Sequence, residues 1–276
     1  MAHPEYPTLS VARAGGVATV TLDHPPMNLL DLALIGDLDR LGRELEADTA
    51  TRAVVFQSAN PDYFIAHADV SLIQRLPSHA PPKSSELSVF HEMVERFRRL
   101  PCATIGAIEG RARGGGSEFL LSLDLRFGAI GRCVLSQPEV ALGIIPGGSG
   151  TQRLPRLLGR ARALEAILGC EDFDAELAER YGWINRALPA RELRPFVAAL
   201  AARIASFPRE AIALAKRAVD AADTGLREGL LEENHLFNQT LAIPETRERM
   251  AAFLAGGGQD PVAELELGAL LAKLRR

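Results

Sequence analysis

Apolar residues along this chain follow two rhythms. The segments "GVATVTL" (16–22), "RAVVFQS" (52–58) and "CATIGAIEG" (102–110) are runs of β-branched and aliphatic residues that end in turn formers, a pattern that predicts buried strands. Elsewhere the apolar positions return every three or four residues. That spacing predicts amphipathic helices over "LDLALIGDLDRLGRELEA" (30–47) and "ELSVFHEMVERFRRL" (86–100). Asp69 is placed to cap a helix through "VSLIQRL", and the Pro- and Ser-containing "PSHAPPKSS" (77–85) reads as an exposed loop. Two shorter strands, "LRFGAI" (125–130) and "CVLS" (133–136), flank a turn at Gly131 and Arg132.

From Thr151 onward nearly every segment reads as helix, with a break near "SFPRE" (206–210). The pattern therefore predicts an α/β core of strand-and-helix units over residues 1–206 and a helical C-terminal region over 207–276. The apolar positions in "AIALAKRAVDAA" and "MAAFLA" exceed what so short an appendage buries, so its faces call for association with other chains.

Composition narrows the class. A chain of 276 residues with 47% hydrophobic positions buries one substantial core. Its 31 basic and 35 acidic residues give a formal charge of -4, without the positive excess of a nucleic-acid or anionic-membrane surface. A small-molecule partner is the expectation, with no nucleic acid and no membrane. Cys102, Cys133 and Cys170 lack the paired spacing of a zinc site, a redox motif or a disulfide framework, which implies a reducing compartment. The opening "MAHPEYPTLSVARAGG" carries no charged segment followed by an apolar one, and no run is long enough to span a membrane. A cytoplasmic location is expected.

Candidate chemistry gathers where side chains are sparse. In "GRARGGGSEF" (110–119) three glycines precede a glutamate, so the backbone lies open to close approach. Two phosphate-binding motifs fail here. "GIIPGGSG" has Ser149 and Gly150 where a P-loop needs lysine and a hydroxyl residue, and "GGGSEF" lacks the third glycine of a dinucleotide fingerprint. Close packing of a helix is the structural alternative for either run.

If Ser117 to Leu123 forms the helix, the Gly115 amide lies among the unpaired N–H groups at its positive end, suited to a developing oxyanion. Such a donor supplies about 3 kcal/mol of transition-state stabilisation in a dry site. Glu118, one turn in, then stands beside that oxygen as a group able to hold or deprotonate a water; its alternative role is to complement the helix dipole. Glu139, in the otherwise apolar "SQPEVALGIIPGG" (136–148), is a second candidate. Burial there would raise its pKa toward neutrality, as a general acid requires, whereas a loop position would leave it pointing to water.

The segments "YFIAHADV", "IEGRARGGGSEFLLSLDLRFGA" and "LSQPEVALGIIPGGSGTQRLPRLLG", in that order, resemble the crotonase, or enoyl-CoA hydratase/isomerase, superfamily over roughly residues 10–255. The resemblance implies a spiral of strand-strand-helix units with a helical C-terminal trimerisation region, assembled as a homotrimer or a dimer of trimers. It implies an acyl-CoA thioester substrate and no separate cofactor or metal, since CoA is part of the substrate. The thioester oxygen would sit between the backbone amides of Ala66 and Gly115, in a loop lined by His67, Ala68 and Asp69. Glu118 would activate a water for attack at the β-carbon and Glu139 would protonate the α-carbon, a lyase reaction. The alternatives are another crotonase-type reaction, namely isomerisation, thioester hydrolysis or decarboxylation, and a non-catalytic acyl-CoA-binding role.

Two departures bear on this reading. His67 stands where the family pattern has glycine. It is either a solvent-facing imidazole on a backbone of glycine-like conformation, or a group that alters CoA binding or adds acid-base chemistry. The C-terminus continues from "MAAFLA" into "GGGQDPVAELELGALLAKLRR" instead of the family's basic, aromatic tail.

Overall fold

The computed structural model describes residues 6–73, 87–142 and 144–223, together with Ala252 and Ala255. Strands β1 (Leu9–Ala14) and β2 (Val17–Leu22) form an antiparallel hairpin that turns at Gly15 and Gly16, both at positive φ. Helix α1 (Leu32–Ala47) follows, and its N-cap Asp31 accepts from the amides of Ala33 and Leu34 at 3.0 Å each, satisfying two of the donors a helix start leaves unpaired.

The chain then repeats one unit. A long strand is followed by a short strand and a helix: β3 (Ala53–Ser58) and β4 (Tyr63–Ile65), then α2 (Val70–Ile73) and α3 (Val89–Arg99). Next come β5 (Ala103–Ile108), β6 (Arg111–Arg113) and α4 (Gly115–Leu121). The third unit is β7 (Leu125–Ile130), β8 (Val134–Ser136), a 3-10 turn at Glu139–Leu142, and α5 (Gly150–Leu158) with α6 (Arg160–Gly169). Strand β9 (Phe173–Asp174), α7 (Ala175–Tyr181), β10 (Arg186–Pro189), α8 (Ala190–Ala205) and α9 (Arg209–Asp220) complete the described chain.

The long strands build a six-stranded sheet in the order β1-β2-β3-β5-β7-β10, parallel except for the first hairpin. The short strands build a second sheet, β4-β6-β8-β9, parallel except for its last pair. Each repeat advances one place in both sheets, which makes the path a spiral. Edge-to-face contacts among Phe56 of β3, Phe97 of α3 and Phe119 of α4, with centroids 5.2–5.4 Å apart, fix α4 against both neighbouring elements. The far face of the long sheet is covered by Leu193, Val197 and Ala201 of α8.

The C-terminal end of α4 is closed by a buried cation. The Arg126 guanidinium donates to the carbonyls of Leu123 (2.6 Å), Trp183 (3.0 Å) and Leu120 (3.3 Å). Burial pulls its pKa down to about 10, which leaves it charged at neutral pH.

Strands expected at 16–22, 52–58, 102–110, 125–130 and 133–136 are present as β2, β3, β5, β7 and β8, each trimmed by up to three residues. The structure departs from the sequence pattern at three places. First, β1 buries only Leu9 and otherwise alternates exposed and half-buried residues, and β4, β6, β9 and β10 span only two to four residues, too few for a period to register. Second, β9 and β10 interrupt the run that reads as helix after Thr151. Third, α4 begins at Gly115 and not at Ser117, because Gly115 and Gly116 take helical geometry despite glycine's low propensity. The loop expected at 77–85 and nearly all of the chain beyond residue 223 lie outside the described residues. Among those described, no helix is long and apolar enough to cross a membrane.

Candidate active site

The glycine run lets three backbone segments meet. Gly114 sits at φ 48, and a Cβ there would lie 2.6 Å from Glu139 Oε1. A Cβ on Gly116 would run into the Ile65 carbonyl oxygen and come within 2.9 Å of the Ile65 side chain. Between them, Gly115 opens α4 with its N–H beyond the reach of any intrahelical acceptor. The opening of "GGGSE" is thus dictated by contact with β4 on one side and Glu139 on the other.

The loop after β4 supplies a second amide, though not that of Ala66. The Ala66 N–H donates to the Met27 carbonyl at 3.2 Å, and its own carbonyl accepts from Arg113 N at 3.2 Å, so both backbone groups of Ala66 are already taken. The amide facing Gly115 is two residues on. Leu30 pairs in parallel register with Ala68, taking the His67 carbonyl (3.0 Å) and the Asp69 amide (3.1 Å). This pairing turns the N–H of Ala68 to the opposite side. A methyl on Gly115 would lie 3.6 Å from the Ala68 nitrogen and 3.2 Å from its Cβ.

Asn28 holds this arrangement. From a buried position at φ 50, its Nδ2 donates to Ser58 Oγ (2.8 Å) and to the Phe64 carbonyl (2.9 Å), while its Oδ1 accepts from His24 N (2.8 Å).

Glu118 is buried on the first turn of α4, and its Oε1 accepts from the amides of Gly148 and Gly150, each at 2.8 Å. Burial raises its pKa, opposed by those two amides and by the charge of Arg153. Glu139 opens the 3-10 turn after β8 and is only 9% exposed, so it does not point to water. Burial pushes its pKa up to about 7, and the charge of Glu118 adds to the rise.

Gln137 and Gly150 connect the two acids. A Cβ on Gly150 would lie 3.0 Å from Glu118 Oε1 and 3.1 Å from the Gln137 carboxamide. With its nitrogen assigned to the side of Glu139, the orientation that pairs every donor with an acceptor, Gln137 donates to Glu139 Oε2 at 3.0 Å. Gly115, Glu118 and Glu139 therefore share one site with Ala68, while the amide of Ala66 is excluded from it.

His67 is half-buried, and its Nδ1 lies 2.8 Å from the Ala68 carbonyl. The described non-glycine residues at positive φ are Asn28, Ser149 and Cys170, so His67 does not adopt the left-handed backbone that would explain a glycine there. Asp69 carries the start of α2, its carbonyl accepting from Leu72 and Ile73 at 3.1 Å each. Among the described residues no group of three His, Cys, Asp or Glu side chains gathers as a metal site.

Two buried carboxyl groups thus stand beside the backbone amides of Ala68 and Gly115, on a spiral of strand-strand-helix units. The comparisons with known proteins give the family. Residues 12–257 match the family model described as enoyl-CoA hydratase/isomerase, and the chain belongs to that family. It is 35% identical over 252 residues to a probable enoyl-CoA hydratase of Rhizobium meliloti, covering 91% of this chain and 96% of the relative. It is 30% identical over 252 residues to the short-chain-enoyl-CoA hydratase of Clostridium acetobutylicum, covering 91% and 95%. The crystal structure of an enoyl-CoA hydratase from Bacillus anthracis superposes with a TM-score of 0.81 at 30% identity, covering 90% of this chain and 96% of that one.

Proposed function

We propose that this enzyme adds water across the double bond of a 2-enoyl-CoA thioester to give the 3-hydroxyacyl-CoA. The observation that carries the reading is the placement of two buried carboxyl groups, Glu118 and Glu139, around the Gln137–Gly150 contact, beside the amides of Ala68 and Gly115. A site for double-bond migration alone needs one group to move one proton. Addition of water needs a base for the water and an acid for the carbon.

The thioester oxygen is received by the N–H groups of Ala68 and Gly115, which stabilise the charge that develops on it. Glu118, whose Oε1 takes two amide donors, accepts a proton from the water as its oxygen bonds to the β-carbon. Glu139, with a pKa near 7, holds the proton that passes to the α-carbon as the enolate collapses. Exchange with solvent returns both acids to their starting states. The direct test is loss of the enoyl-thioester absorbance of crotonyl-CoA; micromolar binding without that loss would overturn the reading.

Glu139 also sets a pH dependence. Because it acts in its protonated form, kcat/KM should fall as pH rises through about 7. Stability follows the same sign: the folded pKa lies above the ordinary value of 4.5, so the native state binds a proton that the unfolded chain has lost. That contribution is full below pH 4.5 and is lost as pH rises through about 7. Urea titrations across this range should show stability falling with pH in the wild type and a flatter curve in Glu139→Gln; equal slopes would remove Glu139 as the source.

The reading extends to assembly. No side chain of helix α9 is fully buried, and Val219 is 74% exposed. A trimer or hexamer is the expected mass by light scattering at micromolar concentration, and a monodisperse monomer is the contrary result.

A further inference from the structure

Ser149 lies between the two amides that hold Glu118, at φ 105 and ψ -5. Residues with a Cβ rarely adopt this left-handed backbone, yet the turn requires it. Two N–H groups one residue apart converge on a single acceptor when the residue between them reverses the local hand of the chain, and the N–H groups of Gly148 and Gly150 converge on Glu118 Oε1.

The Ser149 side chain is held from outside the turn. Its Oγ accepts from Arg153 Nε at 2.9 Å, and its carbonyl accepts from the amides of Gln152 (3.0 Å) and Arg153 (2.9 Å). The Arg153 guanidinium in turn pairs with Glu95 of α3 through Nη2. Glu95 is itself oriented by Arg98, whose Nε lies 3.1 Å from both of its oxygens, and by Arg99 at 3.1 Å. Arg98 also pairs with Asp220 of α9 at 2.7 Å. The charged groups around Arg153 are thus Glu95 and Arg98 from α3, Asp220 from α9, Glu118 from α4 and Arg126 from β7.

We propose that Ser149 is a positioning residue for Glu118: its hydroxyl, gripped by Arg153 and through it by Glu95, holds the left-handed turn that aims the Gly148 and Gly150 amides at the Glu118 carboxylate. The relay runs from α3 through α5 to a carboxylate on α4. The kinetic consequence rests on Glu118 acting as the base proposed above; the structural consequence does not.

The test separates the anchor from the backbone shape. Ser149→Ala removes the hydroxyl and keeps the Cβ, so the turn relaxes and both amides withdraw from Glu118. Ser149→Gly also removes the hydroxyl, but glycine occupies the left-handed region without a Cβ penalty, so the turn persists. The primary readout is the carboxyl 13C titration of Glu118 in the full-length protein, assigned by the resonance that Glu118→Gln loses. In Ser149→Ala the carboxyl should titrate at a higher pH than in the wild type, because the donors that favour its ionised form are gone. In Ser149→Gly it should titrate as in the wild type.

The kinetic readout is crotonyl-CoA hydration. For Ser149→Ala kcat should fall on the order of tenfold, the worth of a lost hydrogen bond to a charged group, with KM essentially unmoved; for Ser149→Gly the fall should be smaller. Arg153→Lys, which keeps the charge and loses the Nε donor, should shift the titration in the same direction as Ser149→Ala, and it carries the test if the alanine variant does not fold. An unmoved Glu118 titration in Ser149→Ala or Arg153→Lys overturns the proposal, as does a glycine variant that is impaired as much as the alanine one. Absence of hydration by the wild type, with the titrations ordered as stated, would defeat the hydratase reading and leave the positioning role standing.

Discussion

Glu118→Gln and Glu139→Gln should each lower crotonyl-CoA hydration by about 10²–10⁴-fold, the loss typical of a missing general base or acid. Both should leave the fold in place. A glutamine at 118 keeps the oxygen that accepts from Gly148 and Gly150. A glutamine at 139 imitates the neutral form that burial already favours. If both groups serve one addition, as proposed above, the double substitution should cost far less than the product of the single losses. Hydration and acyl-CoA binding measured side by side on all three variants check this. Multiplicative losses would show the two acids working in separate steps, and unaltered rates in both single variants would remove them from the mechanism.

The second large effect concerns a residue without a side chain. Gly116→Ala should both destabilise the enzyme and disable it, because the added Cβ meets the carbonyl oxygen, Cβ and Cγ2 of Ile65. Backbone against backbone has no flexible end to yield, so α4 and β4 must part. Overpacking of this kind costs about 1–3 kcal/mol, read as a lower midpoint in urea. The same displacement separates the N–H of Gly115 from that of Ala68, and on the oxyanion role proposed for the pair, loss of one donor should lower kcat by about 10²–10³-fold. Gly131→Ala is the control, since nothing lies within 4 Å of its added methyl and the cost is confined to its positive φ. A Gly116→Ala enzyme with wild-type kcat and stability would contradict the contact.

Much of the fold is written in local pattern. The long strands are continuous apolar runs, and α1 and α3 carry caps and periodicity that any window of the sequence contains. The short sheet is different: its strands are two or three residues long and exist because the long strands place them side by side. The site divides in the same way. Glu118 and Glu139 stand in motifs that mark them, and the glycines before Glu118 announce a close approach.

Which amide faces Gly115 depends on how Leu30 pairs with a loop 38 residues away in sequence. That pairing consumes the carbonyl of His67 and the amide of Asp69, leaving Ala68 and not Ala66 to face the site. The contributions of Asn28 and Gly148 are likewise set by partners far along the chain, and Ser149 reaches the distant Glu95 only through Arg153. Ser149 offers one local signal: a hydroxyl residue in the middle of "GGSG", where a backbone at φ 105 would otherwise be left to glycine.

The central claim is that one water is added across one double bond, with the proton delivered by a second acid. Its most direct test is the fate of solvent atoms. Crotonyl-CoA incubated with the enzyme in deuterium oxide enriched in oxygen-18, and the product analysed by mass spectrometry and NMR, should give 3-hydroxybutyryl-CoA with one oxygen-18 at the β-carbon and one deuterium at the α-carbon. Deuterium incorporated without solvent oxygen, with recovery of a shifted double bond, would contradict the account and assign the two glutamates to isomerisation.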